Sequence, residues 1–340
     1  MCEQFVEVEH AAVGPLDSTG DEMPLLKIEK LTEGLAGDWP GHLRDWDRTL
    51  RAANHPETTR YNYLLAAAQL GRYLGEHTPD PDAVDAAEDP TDVTKAHIEA
   101  FQAWVIETRS AVTALNKHKG LQQFFKYLVD EDEMDRSPMD RVKQPKTPRK
   151  LIPIIRDDDT KKILDSCKST RFEDVRDEAI VRLYYNTGAR LSEVANLRVY
   201  DVDLDKDWLH YRGKGSKDRR VRFGPKTGRA ISRYLRTRNR HPGFSSPELW
   251  LALRGGQPLS ANGIKLMLRR RGVRAGVEGV HAHRWRHNYA HEWKLAGGDS
   301  GDLMLLLGWT SDDMPRHYGA SAAAERAQQV QVRMGIGERV

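Results

Sequence analysis

The sequence predicts a mainly α-helical protein of two domains, with a small antiparallel β-sheet in the second. Three observations carry this. Apolar residues recur at three- and four-residue spacing through most of residues 39–325, the period of helices with one buried face. One stretch, residues 201–224, alternates instead like a pair of strands around a turn. A proline-rich segment, residues 137–156, interrupts a chain of 340 residues, a length that itself suggests two domains.

Residues 1–38 hold nine acidic residues and two lysines, a net of −7. With little periodicity and with Gly14, Pro15 and Gly20 as punctuation, they read as an acidic, flexible arm. The whole chain carries +3, so the rest carries +10. A basic body of this size points to a polyanionic partner, for which nucleic acid is the usual candidate, although ordinary surface charge is an equal alternative on composition alone. No run of about 18 apolar residues exists, and the acidic N-terminus has no basic region ahead of an apolar core, so neither a transmembrane helix nor a signal peptide is expected. Two cysteines, Cys2 and Cys167, are too few for a disulfide framework or a structural zinc site and fit a reducing cytoplasm.

Residues 39–140 read as a helical domain of four helices. GHLRDWDRTLRAA places Leu43, Trp46 and Leu50 on one face. ETTRYNYLLAAAQLGRYLGEH follows, with a threonine as candidate cap and Tyr63, Leu64, Ala67, Leu70 and Leu74 as its apolar face. TPDPDAVDAAEDPT, with three prolines, reads as a loop. The third helix carries Ile98, Phe101, Trp104 and Val105, and the fourth Leu115, Leu121, Phe124, Phe125 and Leu128. Residues 141–156 read as a linker, because Pro145, Pro148 and Pro153 forbid continuous helix. Arg141, Lys143, Lys146, Arg149 and Lys150 make it basic, as suits a tether along a phosphate backbone or a merely solvated linker.

Residues 157–325 form the second domain and 326–340 a tail. A helix starts at RDDDTKK with acids in its first turn. RFEDVRDEAIVRLYYNTGARLSEVANLR reads as two helices broken at Asn186-Thr187-Gly188. The hairpin turns at Ser216-Lys217-Asp218. Helices follow at KTGRAISRYLRTR, SANGIKLMLRRRGVRAG and HRWRHNYAHEWKLAGG. LMLLL is a short apolar helix with a Gly-Trp stop, then a loop that ends at Tyr318. After it, SAAAERAQQVQVRM is a helix with little local to bury it.

Several residues of this domain suit attack on a phosphodiester. Charge builds on the equatorial oxygens in the transition state, and each preformed donor aimed at them contributes about 3–4 kcal/mol. Arginine suits this role, because its planar fork grips two oxygens and never deprotonates. Arg190 follows a glycine at a helix start, and Arg286 stands three residues after His283 on one helix face. Taken alone, Arg190 is more simply a salt-bridge partner of Glu193. A tyrosine hydroxyl such as that of Tyr318 needs its proton accepted before it can attack, and His283 can accept it; His317 is a weaker candidate. Lys214, near the hairpin tip, can protonate a leaving alkoxide, with Lys217 as competitor. Trp309 offers an indole N–H to a phosphate oxygen, or simply packs.

Two rival motifs fail. His283, His287 and His291 recur every four residues, but no HExxH pattern or carboxylate completes a zinc set. Gly213-Lys214-Gly215-Ser216 lacks the GxxxxGK[ST] order of a phosphate loop and lies in a hairpin.

Together these segments resemble the tyrosine recombinase (phage integrase) family. TGARLSEVANLR resembles its first-arginine box and gives Arg190, with Glu193 as a supporting carboxylate. RGKGSKDRRV resembles its lysine hairpin and gives Lys214, with Lys217 as a DNA contact. HRWRH resembles the HxxRH box and gives His283 and Arg286, His281 being out of register. LLGWTSDDMPRHY resembles the segment leading to the nucleophile and gives Trp309, where the family most often has histidine, and Tyr318. The resemblance covers roughly residues 39–325. It implies a two-domain DNA clamp: a helical core-binding domain joined by the basic linker (Arg141, Lys143, Lys146, Arg149, Lys150) to a mixed catalytic domain. It implies that Tyr318 forms a 3′-phosphotyrosyl bond, that no metal, ATP or other cofactor is needed, and that four protomers exchange strands between paired recognition sites through a Holliday junction. The expected setting is the cytoplasm, on DNA, with an accessory DNA-bending or directionality protein as a further partner. The helix after Tyr318 would dock on a neighbouring protomer. The alternatives are a type IB topoisomerase, which resembles the same constellation, and a catalytically silent DNA-binding protein.

Overall fold

The computed structural model describes residues 26–77, 82–147, 153–212, 218–309, 311, 313–335 and 337–338. The chain divides into two compact units, Met1–Arg149 and Lys150–Val340. Among the described residues no helix is long and apolar enough to cross a membrane.

The first unit is all helical: α1 (Ile28–Thr32), α2 (Trp39–Ala52), α3 (Glu57–His77), α4 (Asp82–Glu88), α5 (Lys95–Thr108) and α6 (Ala111–Asp130). Its core is aromatic. Trp46 lies 5.1 Å from Phe124 and stacks 6.0 Å from Tyr63, and the buried Trp39 indole donates to the Ala86 carbonyl at 3.1 Å. Ser110 caps α6 by accepting the Thr113 N–H at 3.1 Å. Thr94 caps α5, and His97 reciprocates by accepting the Thr94 N–H at 3.1 Å.

Three expectations change here. The acidic arm does not extend to residue 38. Ile28, Leu31 and Leu35 follow helical spacing and pack on the core, and the Leu26 N–H donates to Glu57 at 2.8 Å; the high acidic content hid this apolar face. No threonine caps α3, which begins at Glu57, so Thr58 and Thr59 sit inside its first turn. The proline-rich loop contains α4, because the alanine-rich stretch between Pro81 and Pro90 is long enough for two helical turns. The linker is anchored at both ends: Val142 is buried in the first core and Ile155 in the second.

The second unit runs α7 (Asp157–Asp165), α8 (Phe172–Thr187), α9 (Leu191–Ala195), β1 (Val202–Asp203), β2 (Trp208–Tyr211), β3 (Arg219–Arg222), α10 (Pro225–Arg238), α11 (Ala261–Ala275), α12 (Ala282–Leu295), α13 (Ser300–Leu307) and α14 (Asp313–Met334). The sheet is antiparallel in the order β1-β2-β3. Val202 pairs with Leu209, and Leu209 with Val221, which puts these three side chains on the core face. The first expected strand is therefore two strands, turned at Asp207, which takes a positive φ of 56°. Residues 213–217, which include Lys214 and, from the predicted turn, Ser216 and Lys217, lie outside the described residues.

α8 is the central helix, with α10 and α12 packed against it. It also holds a buried ion network. The Arg271 fork donates to Asp174 at 2.6 Å and to Asp177 at 2.7 and 2.8 Å, and Arg176 donates to the other Asp177 oxygen at 2.7 and 3.0 Å. Burial pushes the Asp174 carboxyl up, but donors from Ser169, Arg271 and Arg171 outweigh it and hold the pKa at about 2. Burial raises the Cys167 thiol to about 11, so it stays a protonated core residue; Cys2 lies outside the described residues.

Two expectations about the C-terminus also change. The segment before Tyr318 is not a loop up to that residue, and residues 326–340 are not all tail. α14 starts at Asp313, includes Tyr318 and runs to Met334. Pro315 is tolerated because it falls in the first turn, where no intrahelical N–H bond is lost, and the alanines that follow favour helix. α14 has a partner within this chain as well. It packs along α12, where Glu325 lies 3.6 Å from His291 and Arg326 reaches the Lys294 carbonyl at 3.5 Å.

Removing one partner from the α8 network leaves buried carboxylates uncompensated. Arg271→Ala is expected to cost about 3–5 kcal/mol in urea unfolding at neutral pH. A loss below about 1 kcal/mol, the worth of a surface pair, would show that water reaches these carboxylates.

Candidate active site

The site is built around the C-terminus of α13. The last carbonyls of a helix have no partner within it and carry the negative end of its dipole. Here three arginines take them, each from a different element. Arg219 of β3 donates to Leu306 O. Arg286 of α12 donates to Leu307 O. Arg190 donates to Gly308 O at 2.7 Å.

Sequence explains why the helix ends there. Gly308 takes a left-handed φ of 62°, which stops α13 and turns its carbonyl outward. α8 ends in the same way at Gly188, with φ 58°. A Cβ at Gly188 would meet the Tyr289 Cβ at 2.8 Å, so glycine is required both for the turn and for the approach of α12. That approach lets Arg286 donate to Gly188 O at 3.0 Å as well. Arg286 is thus buried between two helix ends, with its guanidinium 5.1 Å over the Trp309 ring.

Glu193 holds the other two arginines. It accepts from the Arg190 backbone N–H at 2.7 Å and its guanidinium at 2.9 Å, and from Arg219 at 2.6 Å. Burial alone would raise this carboxyl, but the charge of Arg219 and the Arg190 N–H keep it below the usual glutamate range. Arg219 also lies 4.8 Å over the buried Tyr211 ring. Among the described residues Arg190 spends two of its five side-chain N–H groups on protein partners, and its side chain is 38% exposed.

The remaining expected residues fall as follows. His283 lies exposed in the first turn of α12, its ring edge-on to His287 at 4.9 Å. It shares α12 with Arg286, but the one faces solvent and the other the core. His281 caps α12 by accepting the Arg284 N–H at 3.2 Å. Trp309 is buried against Ala290, Leu303 and Leu307, so it packs beneath Arg286. Position 318 lies in α14, two turns before Glu325 and so on the same helix face; the Tyr318 side chain, like that of His317, lies outside the described residues. Arg141, Lys143 and Lys146 are exposed, while Arg149 and Lys150 lie outside the described residues. Among the described residues no three metal-binding side chains come together.

Arg219 was missed in the sequence. The available signal was its place two and four residues before Val221 and Phe223, which put an arginine on the inward face of a strand.

Such a cluster of arginines beside a tyrosine-bearing helix can be set against known proteins. Residues 153–325 match the phage integrase family, and residues 43–134 match the N-terminal SAM-like domain of phage integrases. The chain belongs to the phage integrase family. It is 34% identical over 189 residues to the tyrosine recombinase XerC of Actinobacillus pleuropneumoniae serotype 7, a match spanning 55% of this chain and 61% of that protein. To XerC of Pseudomonas aeruginosa LESB58 it is 31% identical over 231 residues, 67% of this chain and 72% of that protein. The fold is that of the XerH site-specific recombinase in its post-cleavage complex with palindromic difH, with a TM-score of 0.68 at 17% identity over 92% of this chain and 93% of that one. This integrase-family chain is therefore a tyrosine recombinase, an enzyme that breaks and rejoins DNA, built as two domains that are mostly helical with a three-stranded sheet in the second.

The Glu193 carboxylate contributes stability that is present above the ordinary glutamate pKa and lost as pH falls through its lowered folded value. Glu193→Gln is expected to destabilise the protein by about 1–3 kcal/mol at pH 7. Its deficit in urea unfolding should shrink as the wild type is taken below about pH 4. An undiminished deficit there would mean that shape, not charge, holds the arginines.

Proposed function

We propose that this recombinase cleaves duplex DNA by attack of the Tyr318 hydroxyl on a backbone phosphate. The phenol oxygen forms the new bond to phosphorus and the bond to the 5′ oxygen breaks. This leaves a 3′-phosphotyrosyl linkage and a free 5′-hydroxyl. The observation that carries this reading is the convergence of Arg190, Arg219 and Arg286 on one helix end, after which the chain enters directly the helix that bears Tyr318.

Each residue then has a task. Arg190 and Arg286 donate to the phosphate oxygens as charge builds on them. Glu193 and Arg219 are positioning residues that hold the Arg190 fork, and Trp309 supports Arg286 from below. His283 accepts the phenol proton and Lys214 protonates the leaving 5′ oxygen. The bond energy stays in the phosphotyrosyl link, so rejoining needs no ATP. Four copies acting on paired recognition sites would then exchange strands through a Holliday junction, in the cytoplasm and with an accessory DNA-bending or directionality protein at hand. Arg141, Lys143, Lys146, Arg149, Lys150 and Lys217 contact phosphates along the way.

The test needs no known target. Protein is incubated with fragmented genomic DNA and quenched with detergent, and protein-linked DNA is recovered for mapping of both the peptide and the attached sequence. An adduct at Tyr318 on one recurring sequence is the expected result. Scattered sequences at Tyr318 would indicate topoisomerase-like relaxation instead. Tyr318→Phe should abolish the adduct while duplex binding stays within about threefold, because phosphate contacts elsewhere carry the affinity. Arg190→Ala should slow cleavage by about 10²–10³-fold through loss of one donor. Near-normal cleavage by that variant would remove Arg190 from the site.

A further inference from the structure

A second cationic cluster lies at the turn end of strand β2, and the reading above gives it no role. Tyr200 stands in a one-turn 3₁₀ helix, Val199–Asp201, and is 58% exposed, although its ring is large and apolar. Two arginines hold it. Arg198 donates to its hydroxyl at 2.7 Å and Arg212 at 3.1 Å. The Arg212 guanidinium also lies 4.8 Å over the ring and that of Arg198 5.9 Å from its centre.

The cluster is built rather than accidental. The carboxylate of Asp201, with a side chain 2% exposed, takes the Arg198 backbone N–H at 2.8 Å and pairs with the Arg212 fork at 3.0 Å. One buried acid thus touches both arginines, Arg198 through its backbone and Arg212 through its guanidinium. Glu248 also acts on Arg198, but its carboxylate is engaged by the Ser246 hydroxyl.

The chemistry specifies the ligand. Both arginines donate to the phenol oxygen, so the phenol's own proton points to an acceptor outside the cluster. The hydrogen bond from Arg198, together with that from Arg212, holds the phenol below the usual tyrosine range, which makes it a stronger donor. Two guanidinium forks and an acidic hydroxyl facing water form a receptor for a tetrahedral oxyanion. Its place narrows the source. Arg212 precedes Lys214 by two residues, which limits their backbones to about 7 Å apart. On one DNA strand that length of helix axis holds about two phosphates.

We propose that Arg198, Tyr200 and Arg212 bind the phosphodiester backbone of DNA next to the phosphate that is cleaved, and so hold the lysine-bearing hairpin against its substrate. This inference rests on the recombinase reading.

The test uses the full chain and a short random-sequence duplex. Tyr200 in the free protein should be nitrated by tetranitromethane, as its exposure allows. With saturating duplex at about 0.1 M salt its nitration should fall severalfold, and protection should vanish at about 1 M salt, where phosphate contacts are lost. In parallel, Arg198→Ala, which leaves the Asp201–Arg212 pair intact, should reduce the slope of log affinity against log salt by about 0.9, one phosphate contact. Tyr200→Phe should weaken binding without changing that slope. Saturated duplex with Tyr200 nitrated as in the free protein, or an unchanged slope for Arg198→Ala, overturns the proposal and leaves the recombinase reading standing. Failure of the wild type to bind duplex at low salt would overturn both.

Discussion

The C-terminus of α13 is the constraint on which the second domain depends. Three carbonyls with no helical partner are brought to one point, and three arginines from β3, α12 and the start of α9 converge there. Unpartnered carbonyls attract cations strongly away from water, and cations held this close repel one another unless an acid lies between them. Glu193 is that acid for two of the three. The third, Arg286, is spread over two helix ends and an indole face. The result is a set of three guanidinium groups that the fold itself holds at one helix end. The donor roles proposed above for Arg190 and Arg286 rely on such placement.

The rest of the domain serves this point. Gly188 and Gly308 end their helices in the left-handed conformation and open the carbonyls to the arginines. The buried network of Asp174, Asp177, Arg176 and Arg271 ties α11 to α8, the helix whose end Arg286 caps. Arg284 donates to the Pro153 and Ile154 carbonyls, and Asn288 accepts the Ile155 N–H at 2.7 Å. The helix that carries His283 and Arg286 therefore also fixes the point where the chain enters the domain. The cluster around Tyr200 repeats the same design on the surface: one buried acid touches two arginines, but here they face solvent.

Much of this was legible in the residues. Helical spacing placed most helices of both domains, because an apolar stripe of period 3.6 has few other uses. The strand pair was visible by its alternation, and Asn186-Thr187-Gly188 marked a helix end. Misreadings arose where local composition masked a short periodic face, as at Ile28–Leu31–Leu35, or where a helix begins inside a segment read as a loop, as in the residues before Tyr318. The partner of the helix after Tyr318 could not be found locally, because it lies about thirty residues upstream on α12.

The sequence by itself determined the residue types, their order and the elements that carry them, since these follow from periodicity and side-chain chemistry along a single chain. It also offered Arg190 and Arg286 as candidate phosphate donors, and the family resemblance added Glu193 as a supporting carboxylate. Only the tertiary structure decided that Arg219 joins them, that Trp309 supports Arg286 by packing, and that Arg198, Tyr200 and Arg212 gather beside Asp201. Those facts depend on which carbonyls and carboxylates lie within three ångströms across segments far apart in the chain. Spacing in sequence cannot supply that distance, and folding against a shared core does.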